Sequence, residues 1–328
     1  MPHDHADHQH AHGHDHAQEH AHQHGHSHGL GGHHHAPASF GRAFAVGVAL
    51  NAAYVLIEAF WGVAGHSVAL LADAGHNLGD VIGLLGAWLA ARLSTRAPSE
   101  QYTYGLRRSS VLAALVNAVI LLVVTGAIAW EAVQRLIEPE PTGGLTIMIV
   151  ALAGIAVNGI TAAMFMSGRK TDLNIRAAFM HMAADASLAL GVAVAGGVIM
   201  ATGWVRIDPA VSLVISVVIV IGTWSLLRDS VNLSLDAVPP GIDQNAVDRY
   251  LHALPGVLEV HDLHVWGMST TETALTAHLV REDHSGDADL LQRITQELHE
   301  RFNIGHATVQ LETPATAGNC TLRPDHVV

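Results

Sequence analysis

Two histidine–aspartate pairs, His76 with Asp80 and His181 with Asp185, each stand four residues apart inside long apolar stretches. On a helix, positions i and i+4 share one face a turn apart, so each pair offers an imidazole nitrogen and a carboxylate oxygen side by side. Two such helices packed face to face would present two nitrogens and two oxygens, a set that suits tetrahedral zinc. Softer ions favour thiolate, and magnesium or calcium favour all-oxygen sites. Ionisable side chains near the bilayer centre cost about 2.5 to 3.5 kcal/mol each on insertion scales, so their presence there points to function. A single motif could serve as interhelical hydrogen-bond glue; its repetition in two separate spans argues for a metal site. Binding requires neutral imidazoles and ionised carboxylates, so loading a metal expels protons and protonation expels the metal. A histidine with an ordinary pKa of about 6.5 can make that exchange near neutral pH.

The elements that must position these residues follow from composition. Half of the 328 residues are hydrophobic and 14% are charged. The apolar residues lie in six stretches, 44–64, 69–91, 110–133, 145–167, 177–202 and 209–227, each near the roughly 20 residues a spanning helix needs. Small residues around both motifs, Ala72, Ala74, Gly75 and Gly79, then Ala183, Ala184 and Ala186, permit close helix approach and leave room for an ion. With the N-terminus inside, the inner loops hold Arg92, Arg96, Arg107, Arg108, Arg169, Lys170 and Arg176, against Arg135 and Arg206 outside. That bias places both termini in the cytoplasm. Asn51, Glu58, Asp73, Asn77, Asn117 and Asn158 also lie within spans and need partners there. Glu58 and Asp73 are candidates to line a cation path, whereas Asn117 and Asn158 suit packing.

The flanking segments are different in kind. Residues 1–40 form a His-rich tail, with fifteen histidines among the first 35 residues and almost nothing apolar to bury; disorder and loose metal chelation are expected. Residues 41–235 hold the six spans. From Asp236, Pro239-Pro240-Gly241 is expected to break the last helix and open a compact domain over 236–314. Its periodicities predict a helix (243–254), two strands (258–267 and 273–281), a helix (288–302) and a strand (307–312), an αββαβ order suited to an open α+β sandwich. Residues 315–328 read as a loose tail. In this domain His261, His264, His278 and Glu312 fall on strands. His261 and His264 have opposite parity and would serve one site only if a bulge intervened. The single cysteine, Cys320, excludes an internal disulfide and favours cytosolic soluble ends. A net charge of −13 without any basic stripe argues against nucleic acid. There is no cleavable signal peptide pattern, so the first span would act as the targeting signal.

Taken together, the stretches SVALLADAGHNLGD, YTYGLRRSSVLAALVN, HMAADA, IDPAVSL, VHDLHVWGM and TAHLV resemble the zinc-transporting branch of the cation diffusion facilitator family, over about Phe44 to Glu312. The resemblance implies a homodimer of six-helix protomers, each with a cytoplasmic ferredoxin-like domain that binds zinc at the dimer interface. It implies alternating access driven by the proton gradient. His76, Asp80, His181 and Asp185 would be the transport site; His261, His278 and Glu312 would be cytoplasmic zinc ligands, with His264 a motif residue beside them. Arg107 or Arg108 with Asp236 would form the family's charge interlock. Cys320 stands where some relatives carry a cysteine pair and is an accessory candidate.

The function expected is therefore a zinc/proton antiporter exporting Zn2+ from the cytoplasm, with Cd2+ and Co2+ as further candidate substrates. Its partners would be divalent metals, protons and membrane lipid. Compact loops without sorting signals suit a bacterial inner membrane. Two other classes were weighed. An intramembrane metalloenzyme is disfavoured because no HExxH motif carries a catalytic glutamate. A membrane-anchored sensor or store would not need six spans with paired ligands.

Overall fold

The computed structural model describes residues 42–166, 173–283 and 285–323. The His-rich tail and the loop holding Arg169 and Lys170 lie outside the described residues. Six helices, α1 (Arg42–Ala64), α2 (Val68–Ser94), α3 (Ser109–Ile137), α4 (Gly144–Phe165), α5 (Leu173–Thr202) and α6 (Ile207–Ser234), are each long and apolar enough to cross a membrane. They expose Leu56, Phe60, Val123, Trp130, Val214 and Ile221 on their outer faces. Such a surface is an aggregation hazard in water and costs nothing against lipid. The chain is an integral membrane protein.

The inner faces meet around Leu70, Leu121, Ile147, Val192 and Ile215. Packing is uneven: α5 lies mainly on α4, α2 lies against α3, α1 and α6, and α2 meets α5 over only a short stretch. The α4–α5 contact is close because it has glycine on both sides. A β-carbon at Gly196 would stand 2.7 Å from the Met148 backbone nitrogen, and one at Gly144 would stand 2.8 Å from the Gly196 carbonyl oxygen. Backbone thus lies against backbone, the usual route to tight association in lipid, where apolar burial supplies no drive.

The start of α2 is fixed by α6. Ser67 accepts a hydrogen bond from the Leu70 N–H at 3.1 Å, while its hydroxyl donates to Asp208. The other Asp208 oxygen accepts from the Val68 N–H at 2.8 Å. Ser67 and Asp208 are both fully buried. First-turn N–H groups that would otherwise be orphaned are satisfied, and a carboxylate sits at the positive end of the helix dipole.

The expected double-proline break is not what ends α6. That helix stops at Ser234, and Asp236 takes a left-handed φ of 58° ahead of the prolines. Beyond it lie α7 (Gln244–His252), β1 (Val257–Gly267), β2 (Thr273–Arg281), α8 (Asp287–Phe302) and β3 (His306–Glu312). The sheet order is β1-β2-β3, with β1 antiparallel and β3 parallel to the central β2. This is the αββαβ order the periodicity predicts, in the small α+β, ferredoxin-like domain that the resemblance implies. Leu275, Ala277 and Leu279 alternate onto the face covered by Val247, Leu251, Ile294 and Leu298. The opposite face of β2 carries Ala274, Thr276, His278 and Val280. Residues 315–323 are not a loose tail: α9 (Pro314–Ala317) opens with a reciprocal Thr313–Thr316 capping box and buries Ala317.

The α2–α3 loop and the start of α3 touch the C-terminal domain at several points. Arg107 reaches Glu272 at 2.5 Å, Arg108 pairs with Asp236, and the Thr270 N–H donates to the Ser110 hydroxyl at 3.1 Å. Tyr104 meets His306 edge to face at 5.5 Å between ring centres. Gly267, at the end of β1, lies so close to α6 that a β-carbon would come within 2.7 Å of Leu233. Exposed ion pairs contribute little singly, so this junction depends on their number and on the shape of the β1–β2 turn.

Substituting Gly196→Ala forces a β-carbon into backbone and is expected to destabilise the protein by roughly 1 to 3 kcal/mol. Gly191→Ala, on the same helix with nothing within 4 Å, should leave it unchanged. Thermal unfolding in detergent checks both.

Candidate metal centres

Helices α2 and α5 bring the two four-residue motifs together. His76 Nε2 lies 3.4 Å from Asp185 Oδ1 and 3.9 Å from Asp80 Oδ2. His181 Nε2 lies 3.2 Å from Asp80 Oδ2 and 3.7 Å from Asp185 Oδ2. Each imidazole therefore faces the carboxylate of its own helix and that of the other. Tetrahedral zinc ligands stand about 3.4 Å apart; one ligand atom each from His76, Asp80 and Asp185 falls within 4.8 Å of the others, and His181 faces both carboxylates from beside that group. The two rings are 6.3 Å apart, inclined at 74°. Exposure is graded across the group, from 2% for the Asp185 side chain to 32% for His181. The group is therefore sealed on one side and open on the other.

The small residues around the first motif serve packing more than the ion. A β-carbon at Gly79 would meet Leu121 at 2.8 Å and one at Gly75 would meet Ile128 at 3.2 Å, both on α3. Other span residues sort apart from the four candidate ligands. Asn51 contacts the Met182 sulfur at 3.5 Å, and Asn117 packs where Gly83 leaves room. Glu58, Asp73 and Asn77 are buried together between α1 and α2, with Tyr54.

A second group lies on the face of the C-terminal sheet across which the segment after β3 returns. His261 and His278 face each other across β1 and β2, and Glu312 of β3 reaches both: 3.5 Å from His261 Nε2 and 3.0 Å from His278 Nδ1. Cys320 Sγ lies 3.7 Å from His278 Nδ1. One ligand atom from each of these four residues falls within 4.8 Å of the others. Both nitrogens of the buried His261 and Glu312 Oε2 lack a hydrogen-bond partner among the described residues. Buried polar atoms are rarely left so, and a soft or borderline cation between them would satisfy both residues.

The bulge that the sequence reading required is present. Pairing shifts register between His261 and His264, with Asp262 in the left-handed region at φ 52°. It puts His261 opposite His278 and His264 opposite Thr276, so both histidines share one face. His264 nevertheless stays outside the cluster and bonds Asp262 at 2.9 Å. Asp262 also faces His278 Nε2 at 3.5 Å. Sequence reasoning missed this aspartate; its place inside HDLH, between two candidate ligands, was the available signal. A carboxylate on the far nitrogen of a ligating imidazole fixes its tautomer and orientation.

Cys320 is held by a bidentate bond three residues on, from Arg323 to Glu259 at 2.9 and 2.7 Å. The guanidinium holds the Glu259 carboxyl below its usual range. A lowered value keeps this tie ionised at neutral pH, and it is lost as pH falls through that value. Of the two interlock candidates, Arg108 pairs with Asp236 and Arg107 turns to Glu272. Ser110 accepts from the Thr270 N–H of the same β1–β2 turn.

Comparison with known proteins agrees with this architecture. The profile of the cation efflux transmembrane domain matches residues 44–233, and that of the cation efflux protein cytoplasmic domain matches 239–314. The chain is 38% identical to "Zinc transporter ZitB" of Escherichia coli (strain K12) over 283 residues, covering 85% of this chain and 89% of that one. It is 31% identical to "Cadmium, cobalt and zinc/H(+)-K(+) antiporter" of Bacillus subtilis (strain 168), covering 87% and 93%. "Metal cation efflux system protein CzcD" of Cupriavidus metallidurans is 32% identical, covering 86% and 90%. The solved "Metal-bound C-terminal domain of the CzcD transporter" is 34% identical, covers 22% of this chain and 99% of that one, and has a TM-score of 0.20.

Asp262→Ala removes the carboxylate behind His278 without removing any of the four clustered residues. It is expected to weaken zinc binding at the C-terminal group about 10- to 100-fold. Competition titration of the full chain against a zinc chelator checks this.

Proposed function

The chain belongs to the cation efflux family, whose members are membrane transporters and not enzymes, and from that premise we propose that it exchanges Zn2+ for protons by alternating access. One observation carries the reading: each of the imidazoles of His76 and His181 stands 3.2 to 3.9 Å from the carboxylates of both Asp80 and Asp185, across α2 and α5. His76, Asp80, His181 and Asp185 are the transport site. Nitrogen and oxygen donors of this kind accept Cd2+ or Co2+ as well, because affinity order alone does not select zinc.

The exchange follows from the ligands. With the site open to the cytoplasm, neutral imidazoles and ionised carboxylates take up the ion and give protons to that side. With the site open to the other side, incoming protons occupy the same nitrogens and oxygens and displace the ion. Alternation needs only a small displacement. The ligands come from two helices that barely touch, α5 carried with α4 and α2 carried with α3 and α6. A tilt between these groups would move solvent access from one end of the site to the other.

The basic ends of α2 and α3 lie on the same side as the C-terminal domain, which touches Arg107 and Arg108. By the positive-inside rule that side is the cytoplasm, with both termini there; the compact loops suit a bacterial inner membrane. The cytoplasmic domain is the dimerisation element. His261, His278, Glu312 and Cys320 would hold zinc there as a regulatory ligand, lending the charge that draws the sheet face together. The junction at Ser110, Arg107 and Arg108 would pass its state to α3.

Reconstituted in proteoliposomes, the wild type is expected to move zinc along an imposed proton gradient, and His181→Ala, His76→Ala and Asp185→Ala are expected to abolish flux while remaining folded. Tight zinc binding without flux in the wild type would instead favour a sensor or store. Removal of residues 1–35 should reduce capture at low zinc without stopping turnover; flux assays across a range of zinc concentrations decide this.

A further inference from the structure

One polar group between α1 and α2 is more fully enclosed than the metal centre. Glu58 of α1 and Asp73 of α2 have relative exposures of 0% and 1%. Glu58 Oε1 accepts from the Tyr54 hydroxyl at 2.8 Å, and Oε2 accepts from the Asn77 amide at 3.2 Å. Asp73 stands one turn before Asn77 on the same face of α2, which sets its carboxyl toward Glu58. Neither Asp73 oxygen meets a donor among the described residues. The setting is built for this arrangement: Gly154 of α4 leaves the space into which the Tyr54 ring reaches. A β-carbon there would stand 2.2 Å from the Tyr54 oxygen.

Two ionised carboxylates in contact cannot be accommodated in such a place. Each would carry the cost of a buried charge, and together they would repel at short range in a medium of low dielectric. The charged and titratable groups facing the pair are Tyr54 from α1, His76 and Asp80 from α2, and Asp185 from α5. α4 contributes none. His76 and the two aspartates already face one another across the metal centre, and no Lys or Arg is at hand. A metal ion is the wrong occupant, because Glu58 already spends a lone pair on each of two donors aimed at it.

We propose that Glu58 and Asp73 form a carboxyl dyad that holds a single proton between them. This is a proton-binding site distinct from the four candidate metal ligands. The shared proton makes one carboxyl a donor to the other, which supplies the hydrogen bond that the Asp73 oxygens otherwise lack. In bookkeeping terms, one proton is bound per dyad, with no bond broken elsewhere. Asp73 stands one helical turn from His76, so this proton is stored next to the site where protons and metal exchange. That role rests on the antiport reading; the existence of the dyad does not.

The test is infrared spectroscopy of the metal-free full chain in lipid at neutral pH, compared with Glu58→Gln, Asp73→Asn and the double variant. Both replacements keep the side-chain shape and supply N–H groups where the proton sits, so the variants are expected to fold. The wild type should show the C=O stretch of a buried protonated carboxyl, shifting slowly in heavy water. Each single variant should move it, and the double variant should lack it. A wild type without that band, or a band unchanged in the double variant, overturns the dyad. Zinc stoichiometry gives a second readout. Wild type and double variant should bind the same number of ions, and the loss of one ion in the double variant would make the pair a cation site instead. The infrared result concerns the resting protein, so it stands apart from any failure of zinc flux to follow the proton gradient.

Discussion

Two imidazoles and two carboxylates must share a small space at membrane depth, and the rest of the molecule is arranged around that demand. Each group alone would be costly in hydrocarbon, and each is tolerated because the others supply its partners. The requirement is met by α2 and α5 across a short contact, where His76 and Asp80 face His181 and Asp185. A broad apolar seam between them would lock the pair, whereas a narrow polar one leaves a contact that can be made by a metal ion or by protons. The broad seams are placed elsewhere, between α4 and α5 and between α2, α3 and α6.

Much of this was legible in the sequence, for a physical reason. The i, i+4 spacing of His76 with Asp80 and of His181 with Asp185 is local information, and helix geometry turns it into a shared face without further help. Span length and the two-residue alternation in LTAHLV are local in the same sense. What the sequence concealed is long-range. That Asp208 caps α2 depends on two residues about 140 positions apart coming into register. The α6 end, expected at the double proline, is set earlier by the left-handed Asp236 at the junction with Arg108. Asp262 was overlooked because a bulge alters which side chains share a face, and strand parity alone cannot announce one.

The C-terminal part shows the same logic in water. Its helices α7 and α8 cover one face of the sheet, and the other holds buried polar atoms of His261 and Glu312 that have no hydrogen-bond partner among the described residues. A face of that kind is incomplete alone. The segment after β3 returns across it, tied by Arg323 to Glu259, which is why Cys320 stands beside His278 in place of trailing in solvent. At the other end of the strands the β1–β2 turn rests on the start of α3. A shift of the sheet is therefore felt at the membrane boundary.

The paired glycines of α4 and α5 also bear on how the protein is made. Gly144 and Gly196 let the two helices adhere backbone to backbone where they meet. These helices are consecutive in the chain, so they can associate as a hairpin once both have entered the bilayer, before α6 has been synthesised. His181 and Asp185 then meet lipid on a helix that already has one neighbour. During biogenesis the most expensive residues of α5 are thus shielded by a partner that needs nothing from them, and the assembly of the polar centre can wait for the helices that complete it.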